Sequence, residues 1–248
     1  MPGRLEGKVA IVTGGGGGFG KGIAQKFVEE GAKVVIADFV EDVGQKSADE
    51  LKCEFFRTDV TEKADWEAIR DFCDKKFGKI DAVINNAGWT YRNKPTGEVT
   101  EEEYDKVFGV NVRAIYLSTN VLVPYIQKQG TGGSFVTIAS TAGIRPRGGL
   151  TWYNATKAAV INASKSMAVE YAKDNIRFNT ACPVVGLGTG LTDSFLGKPE
   201  NQATFMATIP LGRGSTPRDV ANTCAFLASD EADFLTGIDI PVDGGRCV

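Results

Sequence analysis

Not one of the 248 residues is histidine. That absence excludes Ser-His-Asp and Cys-His nucleophile systems and the usual zinc sites. Proton transfer near neutral pH then falls to Tyr, Lys, Asp, Glu, Cys or a bound cofactor, and no metal is expected. Cysteine is sparse as well. Cys53, Cys73, Cys182, Cys224 and Cys247 are odd in number, without metal-ligand or C-x-x-C spacing, and read as reduced structural thiols. No block of basic residues interrupts a formal net charge of −3, so neither nucleic acid nor a membrane surface is an expected partner. No apolar run approaches the length of a membrane span and no signal-peptide h-region opens the sequence, which points to a cytoplasmic protein acting on small molecules. No Pro/Ser-rich linker or repeat divides the chain. With 42% hydrophobic residues and alternating strand and helix patterns, residues 1–248 read as a single α/β domain.

The rest is organised around Thr13-Gly14-Gly15-Gly16-Gly17-Gly18-Phe19-Gly20, which follows the β-branched run Lys8–Val12. Gly14, Gly18 and Gly20 fit G-x-x-x-G-x-G, a loop in which backbone approaches a pyrophosphate closely and helix N–H groups aim at it. Linkers and tight turns share that composition. The sequel favours a cofactor site: a helical pattern (Ile23, Ala24, Phe27, Val28), Gly31 as its stop, then the strand Val34–Asp38. Asp38 stands at the strand tip, eighteen residues after Gly20, where a ribose hydroxyl would sit. Each of the five consecutive glycines adds an ordering cost of roughly 0.5–1 kcal/mol relative to alanine, so a loop loose until cofactor arrives is expected.

Residues 42–51 read as a helix and 53–57 as a third strand ending at Thr58-Asp59-Val60. Asp59 suits either a bond from an adenine amino group or a cap for the helix over 62–76, a role open equally to Thr61. A fourth strand over 80–84 runs into Asn85-Asn86-Ala87-Gly88, placed to wall a cofactor, though Asn and Gly also end strands ordinarily. A long helix is predicted over 100–129 with Thr100 as N-cap, Pro124 bending or ending it, and Asn111 within an apolar segment, where a satisfied core amide is the plainer reading. A fifth strand over 133–139 delivers Ser140 to the same edge. The helix from Thr151 to about Ala172 puts Tyr153 and Lys157 on one face. A sixth strand follows at 176–181, a helix at 216–228 and a last strand at 237–241. The segment 186–209 suits a substrate-covering lid.

A hydride moving between an alcohol carbon and nicotinamide needs a proton to leave or join the oxygen. Tyr153 is the candidate acid/base, but a free phenol has a pKa of about 10. Lys157 and an oxidised nicotinamide both favour the phenolate, and roughly 4 kcal/mol of differential stabilisation brings it to neutrality. Ser140 could hold the substrate oxygen, and Asn111 could anchor a water linking Lys157 to solvent. Alone, Tyr153 and Lys157 are an ordinary pair; combined with the glycine loop, Asn-Asn-Ala-Gly and Ser140 they point to catalysis.

These residues together resemble the short-chain dehydrogenase/reductase family over essentially the whole chain: T-G-x-x-x-G-x-G at 13–20, Asp59, N-N-A-G at 85–88, Asn111, Ser140, Y-x-x-x-K at 153–157 and Val242-Asp243-Gly244-Gly245. The resemblance implies a doubly wound, Rossmann-like parallel sheet in three α/β/α layers, usually a homotetramer, and a catalytic tetrad of Asn111, Ser140, Tyr153 and Lys157. It implies dinucleotide binding mostly within 1–140 and catalysis and substrate binding mostly within 140–248. Cofactor contacts follow along Gly14, Gly18, Phe19, Gly20, Asp38, Phe39, Asp59 and Val60, then Asn86, Ala87, Gly88, Tyr153, Lys157, Pro183, Val185 and Thr189. One departure stands out. Where relatives commonly have Pro-Gly and then a carboxamide-contacting threonine, Pro183 is followed by Val184-Val185-Gly186-Leu187-Gly188-Thr189.

Asp38 would bond free ribose hydroxyls and repel a 2′-phosphate, and positions 14–17 and Phe39 offer no cation to pair with one, so NAD(H) is expected over NADP(H). Trp89, Tyr91, Leu150 and Trp152 flank the expected site and suggest apolar or ring-shaped substrates. Arg92, Lys94, Arg145 and Arg147 read as surface charges, with Arg145 or Arg147 as a candidate partner for a substrate carboxylate or phosphate. The leading expectation is an NAD(H)-dependent oxidoreductase of a secondary alcohol or ketone. The rivals are an NADPH-dependent 3-oxoacyl thioester reductase and a non-catalytic dinucleotide-binding sensor or scaffold subunit.

Overall fold

A computed structural model describes residues 3–186, 189, 195 and 199–248. Seven parallel strands form one sheet in the order β3-β2-β1-β4-β5-β6-β7. They are β1 Val9–Thr13, β2 Lys33–Asp38, β3 Glu54–Arg57, β4 Ala82–Asn85, β5 Gly133–Ile138, β6 Ile176–Pro183 and β7 Asp239–Val242. Because side chains alternate faces, neighbouring residues of β1 enter different layers. Ala10 and Val12 pack with α1 (Gly18–Glu29), α2 (Glu41–Leu51) and a helix near the C-terminus, Pro217–Ala228. Ile11 packs with α3 (Lys63–Phe77) and with the helices Ala114–Gln129 and Thr151–Glu170. Covered on both sides, the inner strands are near-continuous apolar runs. Each fully buried large side chain, such as Phe27 or Trp66, contributes roughly 1.5–3 kcal/mol. This is the doubly wound three-layer architecture expected from the sequence.

The single long helix expected over 100–129 is in fact three segments. α4 (Glu101–Phe108) begins at the expected cap, the Thr100 hydroxyl accepting the Glu103 N–H at 3.2 Å while the Glu103 carboxylate accepts the Thr100 N–H at 3.0 Å. Gly109–Arg113 then widens into a π-helical segment before α5 (Ala114–Gln129). Such segments concentrate at functional positions, and this one holds Asn111. Pro124 does not end α5, which runs on to Gln129 and stops at Gly130 in the left-handed region. α6 is Thr151–Glu170, α7 Pro199–Met206 and α8 Pro217–Ala228. The expected lid over 186–209 lies partly outside the described residues.

Strand order reverses at β1, which has β2 on one side and β4 on the other. The crevice beyond the carboxyl ends of β1 and β4 is where open parallel sheets take ligands. The glycine loop and the Asn-Asn-Ala-Gly turn meet there.

Candidate active site

The glycine loop packs too tightly for side chains where the fold needs contact. A Cβ on Gly20 would lie 2.0 Å from the Gly14 carbonyl oxygen, and one on Gly16 would lie 2.9 Å from Asp38 Oδ2. Gly14 and Gly18 have φ of 61° and 51°, which disfavours any other residue. Toward the crevice the loop is open, with nothing within 4 Å of a Cβ on Gly17. Gly17 caps α1 without a side-chain bond, and the first turn of α1 carries no acid. The first N–H groups of this helix are therefore without a side-chain cap, an arrangement that suits an anion such as a pyrophosphate.

Thr13 and Asn86 lock this loop to the neighbouring turn. The Thr13 hydroxyl accepts the N–H groups of Asn86 and Ala87 at 2.9 and 3.0 Å and donates to the Ile84 carbonyl at 3.2 Å. Asn86 Nδ2 donates to the carbonyls of Thr13 and Gly14 at 2.8 and 3.2 Å. Thr13 was not singled out in the sequence, although its place at the end of β1 is the signal. Asn86→Ala leaves those two carbonyls without the amide. A loss of about 1–3 kcal/mol is expected, read as a Tm lower by about 2–4 °C for each kcal/mol. An unchanged Tm would contradict the clamp.

At the far end of the loop Asp38 Oδ2 accepts the Gly16 N–H at 2.9 Å and Oδ1 accepts the Val40 N–H at 3.0 Å. Phe39 is exposed and lies under the Arg57 guanidinium, 5.1 Å from ring centroid to Cζ. Asp59 Oδ1 accepts both the N–H and the hydroxyl of Thr61, at 2.9 and 2.7 Å. It closes a local turn, while the N-cap of α3 is Glu62, without a side-chain bond. The carbonyl of buried Val60 accepts the Trp66 indole N–H at 2.9 Å.

Ser140, Tyr153 and Lys157 arrive from β5 and α6 and line one cavity of about 340 Å³ with Gly14, Gly18 and Phe19 of the loop. Asn86, Ala87 and Gly88 form another wall, and Pro183, Val185 and Thr189 a third. Thr189 sits against Gly18, its Cβ 3.6 Å from where a Gly18 Cβ would be. Gly20, Asp38, Phe39, Asp59, Val60 and Asn111 lie outside this cavity.

Asn111 is buried, and its amide is engaged with protein. Nδ2 donates to the Trp89 carbonyl and the Thr156 hydroxyl, both at 3.0 Å, and Oδ1 accepts the Trp89 N–H at 2.8 Å. It holds the turn after β4 beside Lys157 instead of offering its amide hydrogens to a water. Lys157 Nζ donates to the Ile138 carbonyl at 2.8 Å and stands 5.7 Å from the Tyr153 ring centroid. Burial pulls the Lys157 ammonium down to about 8. Burial pushes the Tyr153 phenol up to about 12, against which hydrogen bonding with Ser140 and the charge of Arg147 pull it down. Ser140 Oγ accepts the Ala142 N–H at 3.1 Å.

Of the four apolar residues expected to flank the substrate, only Leu150 lines the cavity. Tyr91 is buried and its hydroxyl accepts the Trp152 N–H at 2.9 Å. Trp89 packs in the same cluster and Trp152 meets Tyr104 edge-on at 5.1 Å. Lys94 pairs with Glu103 at 2.7 Å, and neither it nor Arg92 reaches the cavity. Phe195, Phe205 and Arg246, none of them singled out in the sequence, supply the missing wall beside Arg145 and Arg147.

The family profile described as Enoyl-(Acyl carrier protein) reductase matches residues 15–246. Among curated relatives, 4-formylbenzenesulfonate dehydrogenase of Comamonas testosteroni is 44% identical, over 98% of this chain and 99% of its own. An NADP-dependent (R)-specific alcohol dehydrogenase of Lentilactobacillus kefiri is 39% identical, over 99% and 98%. A solved 3-ketoacyl-(acyl-carrier-protein) reductase of Brucella melitensis, complexed with NADH, superposes with a TM-score of 0.94 at 39% identity, covering 98% of this chain and 100% of that one. Among the described residues no cluster suited to a metal ion occurs, and no helix is long and apolar enough to cross a membrane. With its family profile, full-length relatives and sheet in agreement, the chain belongs to the short-chain dehydrogenase/reductase family and is an oxidoreductase.

Proposed function

We propose that the protein transfers a hydride between NAD(H) and a secondary alcohol or its ketone, residues 1–248 acting as one domain with Tyr153 as the proton-transferring group. The observation that carries this reading is the convergence of Ser140, Tyr153 and Lys157 on the same cavity as the glycine loop. Bound nicotinamide supplies the hydride, or accepts it. In ketone reduction the Ser140 hydroxyl holds the substrate oxygen and the Tyr153 phenol donates the proton to it. In alcohol oxidation the Tyr153 phenolate, which the positive charges of Lys157 and Arg147 favour, takes the proton and becomes the phenol. Asn111 acts through Trp89 and Thr156, holding the turn after β4 in register with Tyr153. The apolar walls from Leu150, Val184 and Phe195 support a ring-sized substrate body.

The preference for NAD(H) over NADP(H) rests on Asp38, whose carboxylate is fixed at the tip of β2 by two backbone N–H groups. Arg57 stands opposite in register but leans on Phe39 and lies 3.9 Å from Asp65. NADH is expected to bind at least tenfold more tightly than NADPH in calorimetry at moderate salt, and Asp38→Ser to narrow that ratio. Tighter NADPH binding by the unsubstituted protein would overturn the preference. The five cysteines are all free thiols, which supports a reducing, cytoplasmic setting. A homotetramer is supported by exposed Tyr116 on α5, Val169 on α6 and Phe234. Light scattering at micromolar concentration decides it, and a monomer would refute it.

A further inference from the structure

The wall beside Tyr153 is cationic and aromatic. Phe195 meets the Tyr153 ring edge-on with centroids 5.2 Å apart. Arg147 lies over Phe195 at 5.9 Å and over Phe205 at 4.9 Å, and Arg246 lies over the same Phe205 ring at 4.7 Å. Cation–π contact accounts for one guanidinium on a phenyl ring. It does not account for a second, like-charged one on that ring in a partly desolvated cleft. Arg147 feels both effects, burial and the Arg246 charge lowering its pKa. Among the described residues no acid lines the cavity, and no ion pair involves Arg145, Arg147 or Arg246.

The two guanidiniums are held in place while keeping donors available. Arg147 Nη2 donates to the Phe195 carbonyl at 2.7 Å, and Arg246 Nε to the Thr208 hydroxyl at 3.1 Å. The other guanidinium nitrogens of both residues have no partner among the described residues. Asp243 builds the turn that presents Arg246, its two oxygens accepting the N–H groups of Gly245 at 2.9 Å and Cys247 at 2.7 Å. Arg145 Nη1 donates to the Arg246 carbonyl and so props the same turn.

We infer that this wall is an oxyanion site, and that the substrate is a ring-bearing alcohol or ketone whose far end carries a carboxylate or sulfonate held by Arg147 and Arg246. The inference rests on the hydride-transfer reading for the ketone end and on the arginine pair for the other. A carboxylate offers the fork geometry that guanidinium groups match, and such charge-assisted bonds are about twice as strong as neutral ones. Arg147 also acts on Tyr153, so an anion beside it couples substrate occupancy to the phenol.

The test compares para-acetylbenzoate with its neutral near-isostere para-acetylbenzamide, as substrates with NADH and as ligands in calorimetry. The benzoate is expected to have at least a tenfold higher kcat/KM, mostly through KM, and to bind at least tenfold more tightly. Arg246→Gln is expected to bring both ratios close to one, Arg246→Lys to restore part of them, and Arg92→Gln, outside the cavity, to leave them unchanged. Turnover of both ketones with equal kcat/KM and equal affinity would overturn the oxyanion site and leave the hydride-transfer reading standing. Tighter benzoate binding that Arg246→Gln abolishes, without turnover of either ketone, would retain the oxyanion site and refute that reading.

Discussion

Replacing Tyr153 by phenylalanine is expected to lower kcat for ketone reduction by about 10²–10⁴-fold, the range of general acid–base catalysis. With no histidine in the chain and no acid among the described cavity residues, no other side chain there can relay a proton to the substrate oxygen as readily. Lys157 is held on the Ile138 carbonyl, and Ser140 Oγ accepts the Ala142 N–H. The substitution removes one oxygen and keeps the ring, so the edge-on contact with Phe195 survives. The change in stability should stay within about 1 kcal/mol. Initial rates and thermal unfolding check both parts, and an NADH titration is expected to show the cofactor still bound. A variant that binds NADH and turns over at the original rate would remove Tyr153 from the chemistry.

Lys157→Met should have the opposite effect on stability from its effect on rate. The buried ammonium has its pKa depressed from 10.5 to about 8. Below pH 8 it is charged in both folded and unfolded chains, and the folded state alone bears the cost of burying that charge. Between pH 8 and 10.5 the unfolded chain holds more protons, so this residue makes stability rise with pH. The burial cost at neutral pH is about 3 kcal/mol, partly offset in the variant by leaving the Ile138 carbonyl without its donor, about 1–3 kcal/mol. A net gain of about 1 kcal/mol, or 2–4 °C in Tm, is expected at pH 7. The advantage should shrink as pH rises from 8 to 10.5. Alcohol oxidation should fall roughly 10²-fold or more once the phenolate loses this cation. A variant less stable at pH 7, or one whose advantage grows toward alkaline pH, would contradict the assignment of Lys157 as a buried, catalytically retained cation. Function kept at the expense of stability is common at such positions.

The parts of the molecule legible in the sequence are those written in short-range pattern. Val9–Val12, the glycine loop, the apolar face of α1 and Asp38 lie within thirty residues and could be read as one β-α-β unit. Tyr153 and Lys157 share a helix face by spacing alone. The π-helical segment at Asn111 was hidden because one extra residue in a turn barely disturbs a 3.6-residue period. Trp89, Tyr91 and Trp152 were misplaced for a related reason. Being aromatic and near the site in sequence does not say which way a side chain turns, and Tyr91 turns its hydroxyl to the Trp152 backbone. The wall of Arg147, Phe195, Phe205 and Arg246 is assembled from segments up to a hundred residues apart, and no local pattern records that they meet.

The proposed function turns on one buried tyrosine moving the proton in an NAD(H)-dependent hydride transfer. Its most direct test measures initial rates for neutral and anionic ketones with NADH and NADPH in parallel, Tyr153→Phe alongside. Turnover that prefers NADH and is lost in the variant is expected. Equal turnover with and without the Tyr153 hydroxyl, or none at all from a protein that binds NADH, would contradict it.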